Sequence, residues 1–143
     1  MTEAEEHVIS CELWELFMRT NTSFQYGLTT QQKVNEIVRN DAIVRNDAED
    51  EVDLHAPDKL KVIEELQFRW RFILTSYQDL KAIAEILHYS DLLPIPPELD
   101  FSDVRRCWIF DSDFDISTII EKIDDFEKEL SDLCNSWMDD VEP

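Results

Sequence analysis

The feature that most constrains this fold is the near absence of glycine, because the 143 residues contain only one, Gly27. Average usage of about 7% would give roughly ten. Phosphate-binding loops, dinucleotide fingerprints and serine nucleophile elbows all need glycine where the backbone turns tightly or approaches a ligand. Tight β-hairpins also depend on glycine at positive φ. The sequence therefore argues against these sites and against an all-β fold.

The longest helical pattern covers residues 58–89. Two sets of apolar residues each recur every seven positions, the second three residues after the first, which is the a/d pattern of a packed helix. Residues 66–72 also alternate with a period of two, as a strand would, and Ser76 with Asp79 could start a new helix after a kink. We predict a helix because the seven-residue pattern continues through both flanks. The two sets are Ile63, Trp70, Tyr77 and Ala84, and Leu66, Ile73, Leu80 and Leu87.

Two further helices are predicted towards the ends of the chain. Residues 117–139 carry apolar residues at spacings of 4-3-4-3-4, and Asp115 or Ser117 is the predicted N-cap. Residues 4–19 carry one apolar stripe, with glutamates near the expected N-terminus. The tryptophans on the helical stripes are predicted core residues: Trp14, Trp70 and Trp137.

The segments between these helices are less regular. Residues 21–27 interrupt the first stripe and are predicted to form a loop, with Thr30 capping another helix. The hexapeptide IVRNDA occurs at 37–42 and again at 43–48. We interpret it as a short duplication at a helix end or loop, and a repeated recognition element is the alternative. Residues 48–56 are acidic and predicted to form an exposed loop.

A proline-rich segment separates the two long helices. Pro94, Pro96 and Pro97 exclude a helix interior and predict an extended crossover. Residues 104–110 fit either a short strand or a short helix. Residues 1–143 are thus predicted to form a single acidic helical domain. Its expected architecture is a compact, all-α or nearly all-α bundle of about four to six helices, with one short strand at 104–110 left open.

The net charge of −20 is the second strong feature. Residues 117–143 alone carry −7, whereas residues 59–89 carry +1. Such a field repels nucleic acid and anionic membranes and attracts basic proteins. It also exceeds the magnitude of about 2–8 that solubility asks of a small domain. We therefore predict a basic protein partner, and we expect four of the arginines to pair with carboxylates across helices: Arg69, Arg71, Arg105 and Arg106.

Residues 107–110 with Asp111 and Asp113 resemble the first motif of the haloacid dehalogenase-type phosphotransferases. That resemblance implies a nucleophilic first Asp, an acid/base second Asp and magnesium on a Rossmann-like sheet. Asp115 departs from the Thr or Val of that motif, and the 28 residues after it leave no room for the rest of the sheet. The same acids match the first EF-hand ligands, but Ile116 stands at the required glycine and a lysine at the final carboxylate. We expect them to belong to an acidic surface, with one of them capping the last helix.

Other chemistry is not indicated by the sequence. The three cysteines and three histidines lack zinc-ligand spacing. We therefore predict no enzyme activity, no metal and no cofactor. The odd, scattered cysteines and the glutamates near the N-terminus favour a cytoplasmic protein over a secreted one.

The predicted function is inhibition by binding. Small acidic proteins of this profile include immunity proteins against nuclease toxins and phage-borne, nucleic-acid-mimicking inhibitors of host defence systems; the likeness is one of size and charge. We favour an immunity protein that covers the nucleic-acid-binding surface of a toxin. The alternatives are the phage-borne inhibitor and a helical adaptor or homodimer built on residues 58–89. The predicted contacts are Asp111, Asp113, Asp115, Glu121, Asp124, Asp125 and Asp132, with Trp108 as an aromatic anchor.

Overall fold

A computed structural model describes residues 2–45, 56–111 and 113–141, and this part of the chain is all-α. It forms four α-helices: α1 (Glu3–Arg45), α2 (Ala56–Leu87), α3 (Phe101–Phe110) and α4 (Ser117–Val141). A short 3-10 turn, Ser90–Leu92, follows α2. The predicted fold class is confirmed, and the strand alternative for residues 104–110 is wrong because α3 covers them. No helix in these ranges is both long and apolar enough to cross a membrane.

The three long helices pack side by side. Arg19 pairs with Asp79 at 2.9 Å and Gln31 accepts a hydrogen bond from Arg69 at 2.7 Å, so α1 and α2 run antiparallel. Helix α4 runs parallel to α2, because Arg69 also reaches the first half of α4 while Trp137, near its end, meets Tyr89 just beyond α2. The core therefore lies between α1, α2 and α4.

The seven-residue pattern of α2 is confirmed as its core face. All eight pattern positions are buried or partly buried against the rest of the chain. The predicted continuous helix is confirmed through Ser76 and Asp79, so the alternative of a new helix starting there is wrong. Ser76 Oγ donates to the Thr20 carbonyl at 3.4 Å, across the interface with α1, and does not cap a new helix. Helices α1 and α4 cover this face of α2.

The predicted loop at 21–27 is wrong, because α1 runs unbroken from Glu3 to Arg45. Thr30 is therefore not an N-cap, and its hydroxyl donates to the Gly27 carbonyl at 2.6 Å. The inward positions in this stretch are small and polar instead of apolar, so the hydrophobic period disappears while the helix continues. The Thr20 and Thr30 hydroxyls are satisfied within the helix, as in the 2.8 Å bond from Thr20 to the Leu16 carbonyl. These inward residues are Thr20, Ser23, Gly27 and Thr30.

The predictions for the tryptophans and for the IVRNDA repeat have different outcomes. Trp14 is 48% exposed and is not a core residue, whereas Trp70 and Trp137 are buried as predicted. The first IVRNDA copy lies within α1. Residues 46–55, which include the end of the second copy and nearly all of the predicted acidic loop, lie outside the described residues.

The proline-rich segment forms the predicted crossover. Residues 93–100 contain no helix, and together with α3 they carry the chain from the end of α2 back towards its beginning. There Lys59 Nζ donates to the Trp108 carbonyl at 3.2 Å, which places α3 beside the first turns of α2. Asp100 caps α3 through the backbone N–H groups of Ser102 and Asp103. This route positions α4 to run parallel to α2.

The end of α2 gives a stability prediction. His88 follows the helix with φ of 62°, and the Tyr89 N–H donates to the Ala84 carbonyl at 2.8 Å, closing a C-terminal cap. A left-handed residue with a β-carbon costs about 1 kcal/mol more than glycine. We expect His88→Gly to raise the free energy of unfolding in urea by about 1 kcal/mol. His88→Ala keeps the β-carbon and is the control; an equal gain in that variant would contradict the explanation.

Candidate functional site

The outer face of α4 carries a stripe of exposed carboxylates. Glu121, Asp125 and Asp132 are separated by four and seven residues, which places them within about 40° of one another around the helix axis. Asp139 continues the stripe seven residues later, and Lys128 interrupts it. The buried side of the same helix packs on α1 and α2, so the stripe has a rigid support. We call these four acids, Glu121, Asp125, Asp132 and Asp139, the α4 acidic stripe.

Asp124 does not belong to this stripe, although the sequence grouped it with the contact residues. Its Oδ1 accepts a hydrogen bond from Arg69 Nη2 at 2.7 Å. The Arg69 side chain is only 4% exposed, and it also contacts Glu127 at 3.3 Å. The predicted pairing of Arg69 across helices is thus confirmed. Asp124 is held as a partner of Arg69, with its own side chain 53% exposed.

The α3–α4 connection places three more predicted acids in solvent. Asp111, Asp113 and Asp115 are all exposed and precede the stripe. Asp111 Oδ1 accepts from the Asp113 N–H, and Asp115 Oδ1 accepts from the Ser117 N–H, each at 3.0 Å. The hydroxyl and the backbone N–H of Ser117 lower the pKa of Asp115, so this carboxylate stays charged well below neutral pH. Asp115 is therefore the cap that the sequence predicted for the last helix, and the acids extend the negative surface beyond α4.

Trp108, the aromatic anchor predicted in α3, is buried. Trp108 is 7% exposed, and Lys59 Nζ lies 5.7 Å from its ring centroid. Helix α3 turns Phe101, Val104 and Trp108 inward at spacings of three and four, so Phe110 points outward and is 82% exposed. Phe110 is the aromatic side chain that lies directly before the acidic connection. If residues 104–110 form a helix, the spacing of three and four residues places Phe110 on the exposed side. The sequence alone fitted either a strand or a helix, so it did not identify Phe110 as the exposed aromatic residue.

Few side chains among the described residues are suited to catalysis. Across 2–45, 56–111 and 113–141, no three His, Cys, Asp or Glu side chains are grouped as a metal site would need. Burial raises the pKa of Cys134 to about 11, so its thiol is protonated at neutral pH and is a poor nucleophile. Asp111 and Asp113 follow a helix, and the strand that the phosphotransferase motif requires is not present there.

The candidate site is therefore a surface of exposed carboxylates next to one exposed aromatic ring. It consists of the α4 acidic stripe, the acids of the α3–α4 connection and Phe110. Comparison with known proteins adds no relative: no family model matches the chain, and no curated protein or solved structure matches it.

Proposed function

We propose that this protein is an acidic inhibitor that binds a basic protein, and that its partner is a nuclease-type toxin whose nucleic-acid-binding surface it covers. The α4 acidic stripe is the observation that carries the proposal. A rigid row of like charges on one face is unfavourable for the folded chain by itself and favourable when a basic surface faces it. The α3–α4 connection adds three carboxylates at one end of the row.

The charge density indicates how the inhibitor works. Helix α4 holds eight acids and two lysines, a net −6 over 25 residues. At ~1.5 Å per residue this is about one net charge per 6 Å, against about one per 1.7 Å of duplex DNA. The charge of α4 is therefore too dilute to replace nucleic acid by charge alone. We propose that the field speeds association and that apolar contact slows dissociation.

Phe110 supplies that apolar contact. It is 82% exposed and lies at the end of α3, next to Asp111. Aromatic residues in the centre of an interface often carry much of the binding energy, while surrounding charges control specificity and association rate. Phe110 flanked by carboxylates fits a basic surface that contains an apolar pocket.

The first experiment is capture of the partner from the native cell lysate on tagged protein, with elution by steps of salt and identification by mass spectrometry. A stoichiometric basic protein released by high salt, whose nuclease activity falls when this protein is added back, would support the proposal. Recovery of the bait alone, or of acidic helical proteins held through high salt, would contradict it.

The captured partner then allows a quantitative prediction. We expect Glu121→Lys, Asp125→Lys and Asp132→Lys together to lower the association rate by about tenfold or more at low salt and to flatten its salt dependence. Asp124 is left intact because its replacement would disturb Arg69. Stopped-flow or surface-plasmon-resonance kinetics over a salt series measure both effects.

A matched control variant distinguishes the effect of where the carboxylates lie from the effect of the total net charge. Glu3→Lys, Glu5→Lys and Glu12→Lys change the net charge by the same amount at exposed positions on α1. We expect this control to keep most of the association rate. If the two triple variants slow association equally, then net charge alone acts and the α4 acidic stripe is not the interface.

A further inference from the structure

A separate groove lies between α1 and α2. It has a volume of about 350 Å³ and is lined from α1 by residues that include Glu15, Met18 and Thr22, and from α2 by Thr75 and Asp79. Asn21 of α1 contacts Cys134 and Met138 of α4, and it does not line the groove. The groove and α4 thus adjoin different sides of α1. The groove therefore belongs to a surface distinct from the α4 acidic stripe.

The groove contains a buried carboxylate that is only half satisfied. The Asp79 side chain is 7% exposed, and its Oδ1 accepts from Arg19 Nη2 at 2.9 Å. Its Oδ2 is buried and has no hydrogen-bond partner. Leaving a buried acceptor unsatisfied is unfavourable, so a donor delivered by a ligand would be stabilised there. The Arg19 side chain that pairs with Asp79 is itself 60% exposed, so the mouth of the groove is open to solvent.

The two threonines of the groove also present acceptors. Thr22 Oγ1 donates to the Met18 carbonyl and Thr75 Oγ1 donates to the Arg71 carbonyl, each at 2.9 Å. Because their hydrogens are used within their own helices, these hydroxyls offer lone pairs to the groove. A ligand that only donates hydrogen bonds matches this set of oxygens.

The charge and shape of the groove further limit the kind of ligand that fits it. Glu15 and Asp79 against Arg19 give the lining a formal charge of −1, which one cation balances. Met18, 50% exposed, provides an apolar wall. A primary ammonium on an alkyl stem combines one positive charge, three donors, no acceptor and an apolar body.

We infer that this groove binds the side chain of a lysine from a partner protein, with the ammonium at Asp79 Oδ2 and the stem along Met18. The two threonine hydroxyls complete the ammonium's hydrogen bonds. The inference does not depend on the proposed function, because the groove uses none of the residues of the α4 acidic stripe.

The test is an amide NMR titration with Nα-acetyl-lysine methylamide, and the norleucine compound serves as the uncharged control. We expect saturable millimolar binding of the lysine compound, with shifts centred on Met18, Thr22, Thr75 and Asp79, and no saturable binding of the norleucine compound. Equal binding of both compounds, or shifts confined to α4, would overturn the inference. Tighter binding of free putrescine than of the lysine compound would overturn the assignment to a protein side chain.

Two variants locate the site. Asp79→Asn should weaken lysine binding by tenfold or more, and Thr75→Val should weaken it several-fold. Asp132→Asn removes a carboxylate from the α4 acidic stripe and should leave lysine binding unchanged.

The groove variants are expected to fold. Burial raises the pKa of Asp79, although Arg19 opposes this, so the folded protein disfavours its charged form and we expect Asp79→Asn to fold at neutral pH. Thr75 is exposed, and Thr75→Val provides the test if Asp79→Asn does not fold. If lysine binding survives both groove variants, the groove is not the site and water alone satisfies Asp79.

Discussion

Replacing Arg69 with methionine is expected to lower the free energy of unfolding by about 3–5 kcal/mol. The Arg69 side chain is 4% exposed and joins all three long helices through Gln31, Asp124 and Glu127. Its loss would leave Glu127, 16% exposed, without its cation, and one oxygen of this carboxylate already lacks a partner. An isolated buried charge is the main source of the expected loss. Urea denaturation followed by circular dichroism measures it.

Two controls test that explanation. Arg106 is 73% exposed and pairs with Asp103 within α3, so Arg106→Met should change the free energy of unfolding by less than about 1 kcal/mol. Combining Arg69→Met with Glu127→Leu removes both charges and should recover much of the stability, because apolar replacement of a buried pair is often tolerated. If the double variant is as unstable as Arg69→Met alone, the unpaired charge is not the cause.

The second large effect is expected from Trp137→Ala, with a loss of about 3–5 kcal/mol. Trp137 is 2% exposed, and its ring centroid lies 5.7 Å from that of Tyr89, so it attaches the end of α4 to the segment after α2. Truncation removes the largest fully buried side chain of the described residues and leaves a cavity. A domain of this size has a total stability of about 5–15 kcal/mol, so the variant should be close to unfolding at 37 °C.

Trp14→Ala is the matched comparison for this effect. Trp14 is 48% exposed, and its truncation should cost less than about 1 kcal/mol in the same urea titration. A loss as large as that of Trp137→Ala would mean that Trp14 is covered in solution, and it would contradict the exposed position assigned to it.

The two strongest periodic segments could be predicted from the sequence. Most inward positions of residues 58–89 and 117–139 hold buried apolar side chains, so their hydrophobic period gives both the helix and its buried face. The outward position of the carboxylates at 121, 125 and 132 followed from the same pattern. The proline-rich crossover was also predictable, because proline restricts the backbone locally.

The site was only partly predictable, because exposure depends on neighbours that are distant in sequence. Asp124 and Asp125 are adjacent acids, but only Asp124 lies within reach of Arg69, which is 55 residues away. Trp108 and Phe110 lie two residues apart in one apolar run. Which of them is buried depends on α3 being a helix and on how it packs against the start of α2.

The sequence by itself determined an all-α chain with two long amphipathic helices and an acidic last third, because glycine content, hydrophobic period and charge are local properties. Only the tertiary structure decided that α1 is continuous. Its inward face at Thr20, Gly27 and Thr30 is small and not apolar, and it becomes a core face only because α2 and α4 pack against it. The tertiary structure also decided which charged residues are exposed. Arg69 and Asp79 are buried because other helices pack against α2, and the sequence of α2 alone does not show which of its residues those helices cover.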